Sequence, residues 1–168
     1  FGDLTENRAF LEPRTQSIDY YAATVRWNTD SIGIKSATAW SRSETQYTVD
    51  MSEADGGWVP PMLERWERRL GLEKFTEELR IALPPGRRVE WTLGGFYNYE
   101  RAVDQLTGQV YDMAYHPVLD DAGPTSVPSA FEERALLGEM TWHITDLFDL
   151  TGGVRYDQTL QSAKVYVR

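Results

Sequence analysis

Few residues of this sequence are candidates for covalent or metal chemistry. It contains two histidines, His116 and His143, and no cysteine. Thiol nucleophiles and thiolate ligands are therefore excluded, and no His-x-x-x-His spacing supports a transition metal. The adjacent acids Asp120–Asp121 and Glu132–Glu133 are of the type that a hydrolase or a calcium site uses. Neighbouring carboxylates on a loop are, however, usually just solvated. No serine lies in the Gly-x-Ser-x-Gly motif of a serine hydrolase. The sequence predicts neither an enzyme nor a cofactor or metal site.

Composition narrows the classes further. The 168 residues include 17 Lys and Arg against 26 Asp and Glu, which gives a formal charge of −9. The sequence has no run of basic residues that could bind phosphates, so a nucleic-acid binder is disfavoured. The hydrophobic fraction of 41% is too high for a disordered chain, and the length suits one domain. No run of about 18 apolar residues occurs, which excludes a transmembrane helix. A transmembrane β-strand is not excluded, because its apolar residues alternate with polar ones.

The hydrophobic pattern of the chain has mainly the period of two that is typical of β-strands. Only residues 61–72 have helical spacing, beginning with a first-turn proline, so we expect one short helix there. Its apolar positions are Met62, Leu63, Trp66 and Leu70. Residues 163–167 are a candidate start of a further strand. Apolar and polar side chains alternate in six other segments, which predicts strands over residues 17–27, 31–46, 74–83, 89–101, 130–144 and 149–158.

The connections between these strands alternate in length. Residues 28–30, 84–88 and 145–148 are tight turns built from Asn, Asp, Pro and Gly. Residues 47–73 and 102–129 are connections far longer than the median of about 4–6 residues in compact domains. Because the long connections come every second time, they lie at one end of an antiparallel meander. Short turns at one end and long loops at the other are typical of outer-membrane β-barrels.

The two sides of the predicted strands differ in charge. On the apolar side only Glu77 is charged, as a wall in contact with lipid requires, because a mid-bilayer Lys or Arg costs about 2–4 kcal/mol. The inner side of a soluble sandwich would be equally free of charge. The other side carries Arg26, Lys35, Glu78, Arg80, Glu90, Glu139, Arg155 and Asp157. We interpret these charges as structural, either paired across strands or in contact with the polar surface of a domain that lies against them, in preference to a permeation role. The apolar side carries six candidates for a lipid-facing aromatic girdle: Trp27, Trp40, Trp91, Tyr97, Trp142 and Tyr156.

Three stretches in order carry a family resemblance. Residues 75–101 read FTEELRIALPPGRRVEWTLGGFYNYER, an E-L-R strand, a tight turn and a W-x-x-G-x-F-Y strand. Residues 138–157 end in T-x-G-x-R-Y-D, and residues 32–47 read as a strand before a long outer loop. These stretches resemble the barrel of TonB-dependent outer-membrane receptors. The fold class that we predict is therefore all-β, an antiparallel up-and-down meander forming part of a transmembrane β-barrel.

The resemblance implies more than this chain contains. It implies an N-terminal plug domain and about 22 strands, of which we find about six, so we expect residues 1–168 to be a partial barrel cut from a longer protein, open in isolation. It also implies TonB-energised uptake of a scarce nutrient, such as a ferric siderophore, across the outer membrane of a Gram-negative bacterium. The implied partners are outer-membrane lipid, the nutrient ligand and, through the plug, the TonB–ExbB–ExbD complex.

Loop composition gives the candidate ligand contacts. Binding residues concentrate on loops held by a rigid wall, and aromatic faces with a few polar groups suit a siderophore or a sugar. We expect Trp66 to pack under the predicted helix instead. The candidates in the long loops are Trp58, Tyr111, Tyr115 and His116.

Two other classes make different predictions. A soluble β-sandwich that binds carbohydrate would bury the Trp-bearing side under a second sheet. A complete small barrel would pair its first strand with its last. Exposure of the Trp-bearing side and the pairing of the edge strands therefore distinguish the three interpretations.

Overall fold

The computed structural model describes residues 8–52, 62–84 and 86–167, with the backbone alone at residues 121, 122 and 124. These residues form one antiparallel sheet. Its strands are β1 (Arg14–Asn28), β2 (Gly33–Asp50), β3 (Leu63–Ala82), β4 (Val89–Tyr111), β5 (Pro117–Thr145), β6 (Phe148–Ala163) and β7 (Tyr166–Val167). All six predicted strands are therefore present. Within the described ranges, no helix has the length and apolar character needed to cross a membrane.

The strands follow one another across the sheet in chain order, from β1 to β6. Each pairs with its sequence neighbours, and β7 pairs with β5 at Thr125 and Ser126, in line with the end of β6. Residues 166–167 thus prolong the last position of the sheet and do not add a new one. Over the described residues β1 does not pair with β6, so the sheet is open, as predicted, and is not a closed small barrel.

The helix predicted over residues 61–72 is wrong where the structure describes it. Residues 63–72 are the first half of β3, whose backbone pairs with β2 on one side and β4 on the other; Pro61 lies outside the described residues. The Leu, Glu and Arg residues of this segment favour a helix locally. Pairing along both edges satisfies the backbone hydrogen bonds and overrides that preference.

The strands run well beyond the predicted limits at one end of the sheet. β2 and β3 are joined by residues 51–62, and β4 and β5 by residues 112–116, so most of the two predicted long loops is strand. We call this end the loop end. The opposite turn end has short turns, as predicted; in the first, Thr29 accepts hydrogen bonds through Oγ1 from the Ile32 and Ser31 amides at 3.0 and 3.3 Å.

The sheet has no second layer in the described part of the chain. The few buried residues, Leu63, Ala135, Asn98, Thr45 and Thr48, are scattered over both faces. Large apolar side chains instead stand open, with Val154 73% and Leu136 68% exposed. A soluble β-sandwich would cover these side chains with a second sheet. The described residues therefore form a single-layered sheet and not one layer of a sandwich.

Gly94 allows β4 and β5 to pack closely on one face. A Cβ atom at this position would lie 2.9 Å from Cγ and Cδ1 of Leu137, whereas a Cβ at Gly95, on the other face, would lie 3.9 Å from the nearest atom of Leu136. We expect Gly94→Ala to destabilise the protein by about 1–3 kcal/mol through overpacking, and Gly95→Ala to have little effect. Thermal unfolding of the purified full-length protein measures the difference. A double variant that also carries Leu137→Ala should recover the loss; equal effects of both glycine variants would contradict this account.

Candidate functional site

The strand register assigns every side chain to one of two faces. Directly paired residues share a face, and Trp27 is paired with Ile34, Ile34 with Ile81, and Ile81 with Leu93. We call the face that carries Trp27 the apolar face and the other the polar face. All six predicted girdle residues lie on the apolar face: Trp27, Trp40, Trp91, Tyr97, Trp142 and Tyr156. Several are open, with Tyr156 68% and Trp27 58% exposed.

The apolar residues form a band that ends abruptly toward the loop end. On β1 to β4 the last apolar members are Tyr21, Trp40, Phe75 and Tyr99, and the next positions on the same face are Asp19, Arg42, Glu73 and Arg101. Beyond this row the apolar face is mostly polar. A sharp limit between apolar and charged rows is what the boundary between hydrocarbon and headgroups imposes on a barrel wall.

The edge of the band lies nearer the turn end on the later strands of the sheet than on the earlier ones. Trp40 is in register, through Phe75 and Tyr99, with Glu132 on β5, but the last apolar residue of β5 is Leu136, four positions nearer the turn end. Four residues span about 14 Å, against about 14–24 Å for three to five strand spacings. The edge of the band, taken across the six strands, is therefore inclined by about 30–45° to the perpendicular of the strands, which matches the strand tilt of about 35–45° in transmembrane barrels.

Glu77 is the charged residue that the sequence placed inside the band, and its neighbours satisfy it. Ser36 donates a hydrogen bond to Glu77 Oε1 at 2.8 Å, and Thr38 donates to Oε2. Both hydroxyls lie on the same face, on the adjacent strand β2. A hydrogen-bonded carboxyl costs less to remove from water than a bare one, which makes this position compatible with the band.

Several ion pairs lie on the polar face, but of the charges that the sequence placed there only Glu90 and Arg155 pair across strands among the described residues. Lys74 Nζ lies 2.7 Å from Glu100 Oε1 across β3 and β4, and Arg155 bonds Glu133 across β5 and β6 at 2.9 Å. His143 lies at the turn end of this face, with Nδ1 2.7 Å from Asp149 Oδ1. The buried residues Asn98, Ala135 and Thr45 are also on this face, and Leu63 and Thr48 are on the apolar face.

The structure brings together only some of the predicted ligand contacts. Phe10 packs against Tyr111 and Tyr115, with ring centroids 5.1 and 5.8 Å apart. Tyr111 and Tyr115 thus contact the N-terminal segment, and Tyr115 Oη donates to the Ala9 carbonyl at 3.4 Å. Trp58 lies outside the described residues. Phe10 was not predicted, because no periodic pattern surrounds it.

His116 belongs to a compact turn between β4 and β5. Asp112 Oδ1 accepts hydrogen bonds from the Ala114 and His116 amides at 2.8 Å each, and Asp112 Oδ2 lies 3.1 Å from His116 Nδ1. These contacts, led by the His116 amide, lower the pKa of Asp112. Tyr115 has the left-handed φ of 63° that closes the turn. The carboxylate of Asp112 therefore organises the turn in which Tyr115 and His116 lie.

Residues 8–13 form a strap along the loop end of β2, and Asp50 fixes it. Asp50 Oδ2 accepts the amides of Ala9 and Phe10 at 2.6 and 3.0 Å, and Glu12 Oε1 accepts the Asp50 amide at 2.8 Å. Burial alone would raise the pKa of Asp50, but hydrogen bonds from Ser52, Phe10 and Ala9 together hold it below its ordinary value. The strap thus joins the start of β1 to the β4–β5 turn.

Replacing Asp50 should release this strap. We expect Asp50→Ala to speed hydrogen exchange in residues 8–13 at pH 7, while Asp112→Ala speeds exchange in the 112–116 turn and leaves the Ala9 and Phe10 amides protected. Because the folded pKa of Asp50 is depressed, its contribution is present above the ordinary aspartate pKa of about 3.9 and is lost as the pH falls through the folded value. Mass spectrometry of the full-length protein in detergent measures both effects; unchanged exchange in Asp50→Ala would contradict them.

A cluster that the sequence does not predict lies on the polar face near the loop end. Arg14, Tyr47 and Arg68 are directly paired neighbours on β1, β2 and β3. Arg68 donates to Tyr47 Oη at 3.2 Å and forms a two-pronged pair with Asp104, with Nε 2.8 Å from Oδ1, which lowers the pKa of Asp104. The Arg14 guanidinium carbon lies 6.0 Å from the centre of the Tyr47 ring.

The position of Trp66 differs from the prediction and extends this cluster. It is not packed under a helix but lies on β3, on the same face as Arg68, where Nε1 donates to Glu64 Oε2 at 3.2 Å. Two aromatic rings and two guanidinium groups therefore line the polar face above the apolar band. The sequence predicts a loop with a helix over residues 47–73, and such a segment has no strand register that brings these side chains together.

The fold and its two faces define a section of a transmembrane β-barrel wall. No family model matches the chain, but individual receptors do. The chain is 28% identical over 142 residues to the pesticin receptor of Yersinia enterocolitica and, to the same extent, to that of Yersinia pestis. Each match covers 84% of this chain and 19% of the relative, so the chain spans about a fifth of the length of these curated relatives.

Solved receptor structures share the fold. The ferric yersiniabactin uptake receptor FyuA from Yersinia pestis superposes with a TM-score of 0.60 over 93% of this chain and 26% of its own, at 18% identity. The ferric-catecholate import receptor Fiu from E. coli K12, in its closed form, superposes with a TM-score of 0.56 over 89% of this chain and 24% of its own, at 17% identity. In both cases about a quarter of the solved chain is matched.

These comparisons confirm the resemblance to the β-barrel of TonB-dependent outer-membrane receptors and the predicted location in the outer membrane. The relatives are receptors by name, which agrees with the prediction that the chain is not an enzyme. The lipid-facing girdle and the ligand contacts at the loop end stay predictions.

Proposed function

We propose that this chain is part of the barrel wall of a receptor that takes up a ferric siderophore across the outer membrane. The observation that carries the proposal is the match of most of the chain to receptors, together with a sheet that has one apolar and one ion-paired face. In this proposal the apolar face contacts lipid, with Trp27, Trp40, Trp91, Tyr97, Trp142 and Tyr156 at its margins, and the polar face lines the lumen. The remaining strands and the plug belong to parts of the receptor outside this chain.

The ligand is an iron chelate with anionic oxygen donors. Arg14, Tyr47, Arg68 and Trp66 line the lumen side at the loop end, where cations and aromatic faces suit such a chelate. Trp58, Tyr111, Tyr115 and His116 are second candidates on the outer loops. The names of the solved neighbours supply two probes, ferric yersiniabactin and a ferric catecholate.

Uptake requires no covalent step on the receptor. Binding at the loop end selects the chelate, and energy relayed by the TonB–ExbB–ExbD complex through the plug moves it inward. The contribution of this wall is to span the membrane, to hold the plug and to present the binding groups.

Uptake of radioactive iron tests the proposal. Cells that lack other siderophore receptors and express the full-length receptor should accumulate iron from one of the two chelates, and accumulation should stop when TonB is deleted. Uptake that persists without TonB would contradict the energised mechanism. Binding of a sugar but of neither chelate would favour a carbohydrate transporter.

A further inference from the structure

A hollow of about 500 Å³ opens on the apolar face near its margin at the loop end. It lies over Gly95 of β4, whose direct neighbours on the same face are Leu79 of β3 and Leu136 of β5. Packing within the sheet does not demand a glycine here, because a Cβ atom would lie 3.9 Å from the nearest atom of Leu136. A glycine inside a strand weakens it and often marks a place where another molecule approaches the backbone. We call this hollow the groove.

The walls of the groove are apolar and open. Leu79, Leu136 and Tyr156 are exposed on β3, β5 and β6, and Tyr97 is the next residue of β4 toward the loop end on this face. The groove crosses four neighbouring strands, about 14 Å at three strand spacings, and its volume is within the range of about 300–1,000 Å³ that small-molecule sites have. In the proposed orientation it faces the membrane, so a hydrocarbon chain suits it better than a water-soluble ligand does.

A row of polar groups borders the groove on the side of the loop end. Glu77 of β3 is paired with Tyr97, and Tyr97 with Arg134 of β5, so a carboxylate, a phenol and a guanidinium stand side by side. Glu77 and Arg134 both line the groove. Ser36 and Thr38 each donate one hydrogen bond to Glu77, which leaves its two oxygens with further lone pairs. Ionisable residues at membrane depth are rare and indicate a functional site by default.

Arg134 supplies the cation of this row. Its Nε and one Nη lie 2.7 and 2.5 Å from Glu132 Oε1 on the same strand. A guanidinium has five N–H donors, so this pairing leaves others available. Its partners on the adjacent strands, Tyr97 and Gln158, are uncharged, and its side chain is exposed. An exposed guanidinium at the boundary between hydrocarbon and headgroups is suited to a phosphate group.

We propose that the groove binds one molecule of a phosphorylated, acylated glycolipid of the outer leaflet. An acyl chain lies over Gly95 between Leu79 and Leu136, a phosphate group bonds Arg134, and an amide or hydroxyl group of the sugar donates to Glu77. The inference rests on the proposed function, because it requires the apolar face to meet the outer membrane with the loop end outward.

The two charged groups favour a glycolipid over a phospholipid. Glu77 and Arg134 are two strand spacings apart, about 10 Å, so the headgroup must offer a hydrogen-bond donor and a phosphate side by side at the start of its acyl chains. An N-acylated, phosphorylated sugar has both there. In a phosphatidylglycerol the linkage between the phosphate and the acyl chains has no N–H or O–H, and its hydroxyl groups lie beyond the phosphate, away from the groove.

Lipid binding to the full-length receptor tests the groove. The receptor is purified in detergent, freed of lipid and titrated with lipid A that carries two phosphates, and native mass spectrometry counts the bound molecules. We expect one tightly held lipid A. Gly95→Leu fills the groove and should weaken binding about tenfold, the equivalent of about two lost methylene contacts. Gly152→Leu is the matched control, because Gly152 lies on the same face of β6 near the turn end with no atom within 4 Å of a Cβ.

Charge removal tests the headgroup contact separately. Arg134→Gln should weaken binding of lipid A about tenfold to a hundredfold, as the loss of a charge-assisted contact does. Arg101→Gln is its control, since Arg101 is exposed on the same face, paired with Glu73 and Ala130, and does not line the groove. The Arg134 side chain is exposed, so this variant keeps the test decisive even if Gly95→Leu does not fold.

Three results would overturn the proposal: no lipid A retained by the unaltered receptor, full affinity in Arg134→Gln, or equal losses in a variant and its control. Phosphatidylglycerol bound as tightly as lipid A would reject the glycolipid. Binding of a ferric chelate is measured on the same preparations. A receptor that binds a chelate but no lipid A rejects the groove alone, whereas a receptor that holds lipid A but binds neither chelate rejects the proposed function alone.

Discussion

An arginine in place of Leu93 is expected to prevent the receptor from assembling in the outer membrane. Leu93 lies on the apolar face of the central strand β4, between Ile81 and Gly138, and is 55% exposed. In the proposed orientation its side chain meets hydrocarbon well inside the apolar band. A guanidinium there costs about 2–4 kcal/mol, a large part of a typical net stability of about 5–15 kcal/mol.

The neighbouring residue provides the control. Thr92 lies on the polar face, directly opposite Glu139, so Thr92→Arg adds the same charge one position away and can pair with a carboxylate. Immunoblotting of folded receptor in outer-membrane fractions compares the two variants. If both variants assemble equally well, or if Thr92→Arg is the more damaging, the assignment of the apolar face to lipid is wrong.

Loss of the Arg68 side chain is expected to weaken binding of the ferric chelate about tenfold to a hundredfold. Arg68 is the member of the cluster on the polar face that joins Tyr47 to Asp104. Arg68→Ala removes one charge-assisted contact, of the order of 1.5–3 kcal/mol, and leaves the Asp104 carboxylate unpaired where an anionic ligand would bind. Dissociation constants for ferric yersiniabactin and a ferric catecholate measure the loss.

Arg69 makes a matched control for this prediction. It is the next residue of β3 and lies on the opposite face, paired with Gln46 and Gln105, so Arg69→Ala removes the same charge without touching the cluster. Arg68→Lys should recover part of the affinity, because it restores the charge but not the two-pronged geometry. Equal weakening by Arg68→Ala and Arg69→Ala would indicate a diffuse charge effect and would contradict a binding site at Arg68.

The sequence was informative wherever one face of a strand is apolar. Within the band, alternation is enforced by two different environments, so the period of two identified all six strands and assigned Trp27 and Trp142 to one face. The tight turns were equally readable, because residues such as Thr29 and Gly86, with its φ of 91°, have local conformational reasons to be there. The predictable part of the fold is therefore the part that lies in the band.

Beyond the band the same reasoning failed, for a physical reason. There the sheet stands between two polar environments, so both faces carry polar residues and the alternation disappears. Residues 63–72 then displayed only their local helix preference, and the strands were predicted to end where their apolar residues ended. Without the register, Arg14, Tyr47 and Arg68 could not be recognised as neighbours, and Phe10 gave no signal because its partners Tyr111 and Tyr115 lie about a hundred residues away.

The strand order has a consequence for how such a protein reaches its final state. Every ladder from β1 to β6 joins segments that are adjacent along the chain. Each pairing therefore closes only a short loop, which favours rapid assembly. Neighbouring strands of this section can pair one hairpin at a time. No ladder between β1 and β6 has to wait for a strand that is distant along the chain, so pairing within this section can follow the order in which the strands are synthesised.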